Sequence, residues 1–124
     1  MAYPGRHTIM DAFKHAFNGL FLFFKTERNG RIELACAILI ISLAFFVQCN
    51  ALEWISILLC IAFVIGMEMI NSAIEKLCDL QHPGFNKNIQ YIKDVSAAAV
   101  LTGSIISIVV AAIIFFPKIL LLFH

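Results

Sequence analysis

Three long apolar runs divide the sequence, and short polar segments separate them. The central part of each run carries no charged side chain. A hydrocarbon layer about 30 Å thick needs a helix of roughly 20 residues to cross it. We therefore predict an all-α integral membrane protein that forms one membrane-embedded domain over residues 1–124. Its predicted spans cover residues 30–48, 53–79 and 94–116.

A shorter amphipathic segment, residues 8–26, precedes the first run. Phe13, Phe17 and Phe24 recur at helical spacing on one face, and polar side chains such as Asp11 occupy the other. This pattern predicts a helix that lies in the plane of the membrane interface with its aromatic side towards lipid. The alternative is a helix of soluble type that packs against the ends of the bundle.

Glycine and proline mark the predicted breaks between these elements. Gly30 predicts a bend before span one, and the Gln-His-Pro-Gly segment at 81–84 predicts the end of span two. We expect a loop over residues 86–91 and the end of span three at Pro117. Small residues at every fourth position of span three predict a face for close helix packing. They are Ala99, Gly103, Ser107 and Ala111.

An acidic stripe, formed by Glu68, Glu75 and Asp79, lies near the end of the second span. At about 100° per residue the three carboxylates fall within an arc of roughly 40°, and Asn71 lies about 60° to one side. A carboxylate that faces lipid is costly in free energy. The acidic stripe must therefore meet protein, water, metal or ligand.

The composition agrees with a membrane protein and removes one class of partner. Of the 124 residues, 61% are hydrophobic and only 14% are charged, against about 25% charged residues in soluble domains. A net charge of +1 without a basic patch excludes a nucleic-acid partner. The four cysteines stand far apart without a Cys-x-x-Cys pair, so we interpret them as small hydrophobic residues and not as disulfides or zinc ligands.

The basic residues predict the orientation in the membrane. In a three-span arrangement eight of the nine lysines and arginines fall on one side, and only Lys118 falls on the other. The positive-inside rule then places the N-terminus and the loop after Asp79 in the cytoplasm. Glu27, Glu33 and Asp94 lie at the same membrane level as the acidic stripe. The N-terminus lacks the pattern of a cleavable signal peptide, so we expect the first span to act as the targeting signal.

Carboxylates gathered at one membrane level repel one another unless cations are present. Mg²⁺ prefers oxygen ligands and commonly combines one or two carboxylates with phosphate oxygens, so a magnesium nucleotide fits this set. The sequence contains neither a Gly-x-x-x-x-Gly-Lys loop nor a soluble-kinase signature. Proton or cation transport along the helix face also fits, as does structural pairing of the stripe with basic residues such as Lys93. The residue pattern leaves these three readings open.

The stretch from Glu68 to Asp79 closely resembles the signature of the prokaryotic diacylglycerol kinase family, which includes undecaprenol kinases. It reads Glu-Met-Ile-Asn-Ser-Ala-Ile-Glu-Lys-Leu-Cys-Asp. Cys78 departs from the aliphatic residue usual there, but it lies off the acidic face. Three further blocks in the same order extend the resemblance over essentially the whole chain. They are Phe-x-x-Ala-Phe-x-Gly at 13–19, Lys-Thr-Glu-Arg-Asn at 25–29 with Arg31, and Lys-Asp at 93–94 with Ala-Ala-Ala-Val-Leu at 97–101.

The resemblance implies a small trimeric enzyme of the bacterial cytoplasmic membrane. Such an enzyme uses Mg²⁺ and transfers the γ-phosphate of ATP to the hydroxyl of a lipid alcohol. By resemblance, Glu68 is the general base near the lipid hydroxyl, and Glu27 and Glu75 are the metal ligands. By helix rise Glu68 lies about 16 Å deeper in the membrane than Asp79, within reach of a lipid headgroup.

The remaining implied roles concern the nucleotide and the lipid entrance. Nucleotide and phosphate contacts, or supports for them, are implied for Asn71, Asp79, Lys93 and Asp94. Lining of the lipid entrance is implied for Arg31 and Glu33.

Two lipid alcohols are candidates for the acceptor. The block at 25–29 and the Glu53-Trp54-Ile55 start of span two are more similar to undecaprenol kinases, whereas Glu33 is closer to the diacylglycerol kinases. We favour undecaprenol as acceptor, with diacylglycerol next. The alternative function is a proton or cation carrier that uses the Glu68, Glu75 and Asp79 face.

Overall fold

The computed structural model describes residues 8–124. Within these residues the chain forms helices and no strand, so the predicted all-α fold is confirmed. The helices are α1 (Ile9–Thr26), α2 (Arg28–Phe46), α3 (Ala51–Gln81) and α4 (Lys87–Leu122).

Helices α2, α3 and α4 are each long and apolar enough to cross a membrane. At 1.5 Å per residue, the 31 residues of α3 and the 36 residues of α4 extend about 46 and 54 Å, more than a hydrocarbon layer of about 30 Å. Large apolar side chains such as Leu39, Phe63 and Ile108 are more than half exposed on the outside of the bundle. These features make the chain a multi-pass membrane protein.

Helix α3 is the centre of the bundle. It packs against both α2 and α4, whereas α1 packs against α2. At the end remote from the acidic stripe, residues from all three long helices form a buried group that we call the opposite core. It consists of Ala44, Ile57, Ile114 and Phe115.

Part of the small-residue face on α4 packs within the chain. A Cβ atom at Gly103 would lie 2.7 Å from the ring of Phe63 on α3. The absence of a side chain at Gly103 therefore lets the two helices approach closely, as the repeat of small residues predicts.

Helix α1 begins with a capping box. The Thr8 hydroxyl accepts a hydrogen bond from the Asp11 N–H, and the Asp11 carboxylate accepts one from the Thr8 N–H. These bonds hold the pKa of Asp11 below its usual value. Phe13 and Phe17 stay more than half exposed, since the bundle does not cover this aromatic face. The uncovered face favours placement in the membrane interface over packing on the bundle ends.

The bend predicted at Gly30 is wrong. The chain turns at Glu27, where φ is −98° and ψ is 115°, and Gly30 lies inside α2. Helix α2 ends at Phe46, two residues before the predicted end of span one. The reason is Gln48, whose φ of 57° lies in the left-handed region and is incompatible with a continuing helix.

The loop predicted over residues 86–91 and the end predicted at Pro117 are also wrong. Residues 87–91 are helical because the Asn86 side chain accepts hydrogen bonds from the N–H groups of Asn88 and Ile89 and so caps α4. Pro117 does not end α4, which continues to Leu122. Pro117 has no N–H to donate to Ile113 O, so the helix continues with one backbone hydrogen bond fewer.

Candidate active site

The acidic stripe lies on one continuous helix, and its three carboxylates differ in burial. Because α3 is unbroken from Ala51 to Gln81, Glu68, Glu75 and Asp79 lie on one face, within an arc of roughly 40°. Glu68 is 5% exposed, whereas Glu75 and Asp79 are exposed. One carboxylate is therefore enclosed by protein, and the other two are exposed.

Glu68 belongs to a group of polar side chains that we call the buried polar cluster, formed by Glu33, Glu68, Asn71 and Ser72. Glu33 is contributed by α2 and lies close enough to Glu68 for their charges to interact. Three atoms of this cluster are buried without a hydrogen-bond partner in residues 8–124, namely Glu33 Oε2, Asn71 Oδ1 and Ser72 Oγ. An unpaired buried polar group costs about 1–3 kcal/mol. Three such atoms at this end of the bundle indicate a site that a ligand or water completes.

Ser72 is the residue that the sequence analysis missed. It stands four residues after Glu68 and three before Glu75, so its side chain lies beside the stripe, about 40° from Glu68 and on the flank opposite Asn71. The same spacing that identified the carboxylates predicts this position. A serine carries no charge and is common in membrane helices, so its residue type alone does not indicate a functional role.

Asn71 links the buried cluster to the exposed part of the stripe. Its side chain is 7% exposed, and its Nδ2 donates to Glu75 Oε1 over 3.5 Å. The amide therefore orients towards the Glu75 carboxylate and leaves its own Oδ1 unpaired. The arrangement leaves Glu75 able to bind a further group from solvent.

The loop between α3 and α4 brings another two predicted residues together. Lys93 Nζ donates to Asp79 Oδ1 over 2.6 Å, which ties the start of α4 to the end of α3. Asp94 accepts a hydrogen bond of 2.8 Å from Gln90 Nε2 on its own helix. The pairing of Asp79 with Lys93 is also what a purely structural role requires, so nucleotide contacts at these positions stay a prediction.

Glu27 and Arg31 lie at the junction of α1 and α2. Glu27 is half-buried, and its side chain makes no capping hydrogen bond to α2. Arg31 Nη1 donates to the backbone oxygens of Phe24 and Lys25, over 3.1 and 2.8 Å. The guanidinium is thus engaged with the end of α1, and its predicted role at the lipid entrance stays untested.

The oxygen-rich composition of the site suits magnesium. Across residues 8–124, no group of three or more His, Cys, Asp or Glu side chains is arranged to hold a metal ion by itself. Mg²⁺ normally takes only one or two carboxylates and completes its coordination with phosphate and water. The exposed Glu75, supported by Asn71, fits such a partial set of ligands.

An apolar groove leads away from the buried polar cluster. It has a volume of about 350 Å³ and runs between α2, α3 and α4. Glu33 marks one end, and Ile57 and Phe115 of the opposite core mark the other. A second cavity, of about 610 Å³, lies between the aromatic side of α1 and Met69, the neighbour of Glu68. The first cavity therefore begins at Glu33 of the buried polar cluster, and the second reaches the residue that follows Glu68 in α3.

Comparisons with known proteins point to one family. The profile of the family described as prokaryotic diacylglycerol kinase matches residues 14–115. An undecaprenol kinase from Bacillus subtilis is 33% identical over 107 residues, which cover 86% of this chain and 87% of that protein. A diacylglycerol kinase from Haemophilus influenzae is 29% identical over 109 residues, covering 87% and 92%. One from Synechocystis sp. is 27% identical over 113 residues, covering 90% and 65%.

The matched region contains most of α1 and all of the acidic stripe and the buried polar cluster. The profile covers far more than half of the chain, and the Bacillus subtilis relative exceeds 30% identity over most of both proteins. The chain belongs to the prokaryotic diacylglycerol kinase family and is a membrane lipid kinase.

Proposed function

We propose that this lipid kinase transfers the γ-phosphate of ATP to the hydroxyl of undecaprenol in a Mg²⁺-dependent reaction at the cytoplasmic membrane face. The observation that carries the proposal is the enclosed Glu68 carboxylate. It interacts with Glu33, which has a buried oxygen without a partner in residues 8–124 and stands at one end of an apolar groove. A lipid alcohol has the matching form, since it brings a hydroxyl to the polar cluster and a hydrocarbon chain to the apolar surface.

Glu68 acts as the general base. A carboxylate within hydrogen-bond reach of the acceptor hydroxyl takes its proton as the oxygen attacks the γ-phosphorus. The enclosing helices keep bulk water away, so that the lipid hydroxyl and not water is phosphorylated. Asn71 and Ser72 supply hydrogen-bonding atoms beside the base, which orient the hydroxyl.

The exposed part of the stripe receives the nucleotide. Glu27 and Glu75 hold Mg²⁺, which neutralises charge on the phosphates when it is bound. Lys93 contributes positive charge next to Asp79, and Asn71 and Asp94 support the nucleotide. The residues named here extend from the enclosed base to the end of α3, so lipid and nucleotide approach from opposite directions.

Undecaprenol is preferred to diacylglycerol on sequence similarity. The block at 25–29 and the start of α3 are more similar to undecaprenol kinases, and the Bacillus subtilis relative is an undecaprenol kinase. Arg31 and Glu33 line the entrance for the lipid. The kinase is a homotrimer in the bacterial cytoplasmic membrane with its N-terminus in the cytoplasm, as the resemblance and the distribution of basic residues imply.

A direct assay tests this proposal. Purified protein in nanodiscs receives γ-labelled ATP with either undecaprenol or diacylglycerol, with and without Mg²⁺. We expect labelled lipid phosphate only with Mg²⁺, and faster turnover with undecaprenol. Faster turnover with diacylglycerol would reverse the choice of acceptor. Ion flux in proteoliposomes without any nucleotide turnover would replace the kinase function by that of a proton or cation carrier.

A further inference from the structure

The junction between α1 and α2 is a tight elbow that a single residue forms. Glu27 is both the C-cap residue of α1 and the N-cap residue of α2, so no loop separates the two helices. Its N–H donates to Phe23 O over 2.8 Å, and its backbone oxygen accepts from the Arg31 N–H over 3.3 Å. The backbone at Glu27 is therefore bonded to both helices.

Close packing supports the elbow on its inner side. Phe23 is the buried residue of α1, and its ring lies over Gly30 in the first turn of α2. A Cβ atom at Gly30 would lie only 2.5 Å from this ring. The glycine therefore serves a close helix–helix approach, and any side chain there must displace the Phe23 ring.

Arg31 closes the elbow on its outer side. One guanidinium nitrogen donates to two carbonyl oxygens at the end of α1, those of Phe24 and Lys25. The last carbonyls of a helix have no partner within the helix, and the helix dipole makes this end negative. A cation that satisfies two of these carbonyls from the neighbouring helix fixes the angle between α1 and α2.

The Glu27 carboxylate is not used in holding the elbow. It makes no capping hydrogen bond, although Glu27 stands at the position where a side chain normally caps the following helix. Packing and the Arg31 bonds hold the elbow, and the half-buried Glu27 side chain extends from a backbone that is bonded to both helices.

We propose that Arg31 is a positioning residue, which fixes the α1–α2 elbow and thereby aims the Glu27 carboxylate at the metal. This inference rests on the proposed function, in which Glu27 is a ligand of Mg²⁺. It gives Arg31 a role different from contact with the lipid entrance. Arginine suits the role because its fixed fork of donors serves two carbonyls at once, whereas a lysine ammonium provides only a flexible point charge.

Metal affinity tests the inference without relying on turnover. Binding of Mn²⁺ together with a non-hydrolysable ATP analogue is followed by electron paramagnetic resonance in wild type and variants. Residues that orient a metal ligand change metal affinity by about 10- to 100-fold when removed. We expect Arg31→Ala to weaken Mn²⁺ binding by about tenfold, near the lower end of that range, and Arg31→Lys to restore part of the loss.

The matched control is Arg28→Ala, which removes the same charge from an exposed position in the same turn of α2. It should leave Mn²⁺ affinity unchanged. Gly30→Ala tests the elbow independently of charge, because it displaces Phe23 and leaves Arg31 in place; we expect it to weaken Mn²⁺ binding as well. Equal losses in Arg28→Ala and Arg31→Ala would reduce the effect to net charge and overturn the proposal.

A double-mutant cycle separates positioning from direct effects. If Arg31 acts through Glu27, Arg31→Ala should not weaken Mn²⁺ binding further once Glu27→Ala is present. Additive losses would overturn the proposal. Loss of affinity in Glu27→Ala with none in Arg31→Ala would remove the positioning role alone. Unchanged affinity in Glu27→Ala would instead remove Glu27 as a metal ligand and with it that part of the proposed function.

Discussion

The two ends of the helical bundle differ in whether their buried polar groups have hydrogen-bonding or ionic partners. At the end with the opposite core, the Lys118 ammonium pairs with the Glu53 carboxylate over 3.0 Å, and these side chains are 24% and 19% exposed. At the other end Glu33, Asn71 and Ser72 each keep a buried polar atom without a partner in the described part of the chain. Both ends hold carboxylates within the same three helices, but among residues 8–124 the buried polar atoms without a partner lie at only one end.

The satisfied end has the features of a structural joint. Asn50 and Glu53 form a capping box at the start of α3, and the rings of Phe45 and Trp54 lie 4.7 Å apart. Burial and the neighbouring Glu53 carboxylate raise the pKa of the Cys49 thiol. Asn50, Glu53 and Lys118 bond to one another in this arrangement, so their polar groups do not indicate a ligand site.

The difference between the ends shows where function lies. A folded chain avoids unpaired buried polar atoms because each one lowers its stability. A site that keeps several of them together gives up stability for binding or chemistry, and the buried polar cluster around Glu68 has this property. Carboxylates alone do not mark the site, since Glu53 is also a carboxylate in a membrane helix.

The largest effect is expected for Glu68→Gln. The amide cannot accept the proton of the lipid hydroxyl, so kcat should fall by about 10³-fold, within the range that general base catalysis provides. ATP binding, measured by calorimetry, should stay close to wild type because the nucleotide residues are untouched. Turnover near the wild-type rate would remove Glu68 as the base.

A smaller effect is expected for Glu27→Ala and Glu75→Ala. Each variant removes a proposed oxygen ligand, so the Mg²⁺ concentration for half-maximal activity should rise by about tenfold or more. The control is Asp11→Asn, which removes a carboxylate that caps the remote end of α1. Magnesium titrations that coincide for all three variants and wild type would contradict the metal site.

Ser72→Ala tests the buried polar cluster with a residue that carries no charge. Loss of one hydrogen bond to the acceptor should lower kcat/KM for the lipid by about tenfold. Stability should stay equal or rise, because the variant removes an unpaired buried hydroxyl. Ser56→Ala is the matched control, since the Ser56 hydroxyl already bonds Leu52 O near the opposite end. A destabilised Ser72→Ala with unchanged kinetics would make Ser72 structural.

The smallest effect on activity is expected at the satisfied end. Glu53→Gln and Lys118→Met each break the ion pair that joins α3 and α4. Both should lower the Tm slightly, and less so at high salt because ions screen a partly exposed pair. The activity of each folded molecule should not change. A large loss of kcat in either variant would contradict the claim that only the end with the buried polar cluster takes part in catalysis.

The sequence predicts the acidic stripe well because one helix fixes the angles between its residues. It does not predict which polar groups find partners, since the pairs that decide this join different helices. The Arg31 bonds to α1 and the Lys118–Glu53 pair are of this kind. Gly30 shows the same limit, because a glycine that predicts a bend can equally make room for a neighbouring ring.

The most direct test of the difference between the ends compares two equivalent substitutions in one assay. Glu68→Gln and Glu53→Gln each replace a carboxylate of α3 by an amide, one in the buried polar cluster and one in the satisfied ion pair. With labelled ATP, Mg²⁺ and undecaprenol, we predict that Glu53→Gln keeps wild-type kcat per folded molecule while Glu68→Gln loses nearly all of it. Equal activities of the two variants would contradict the account.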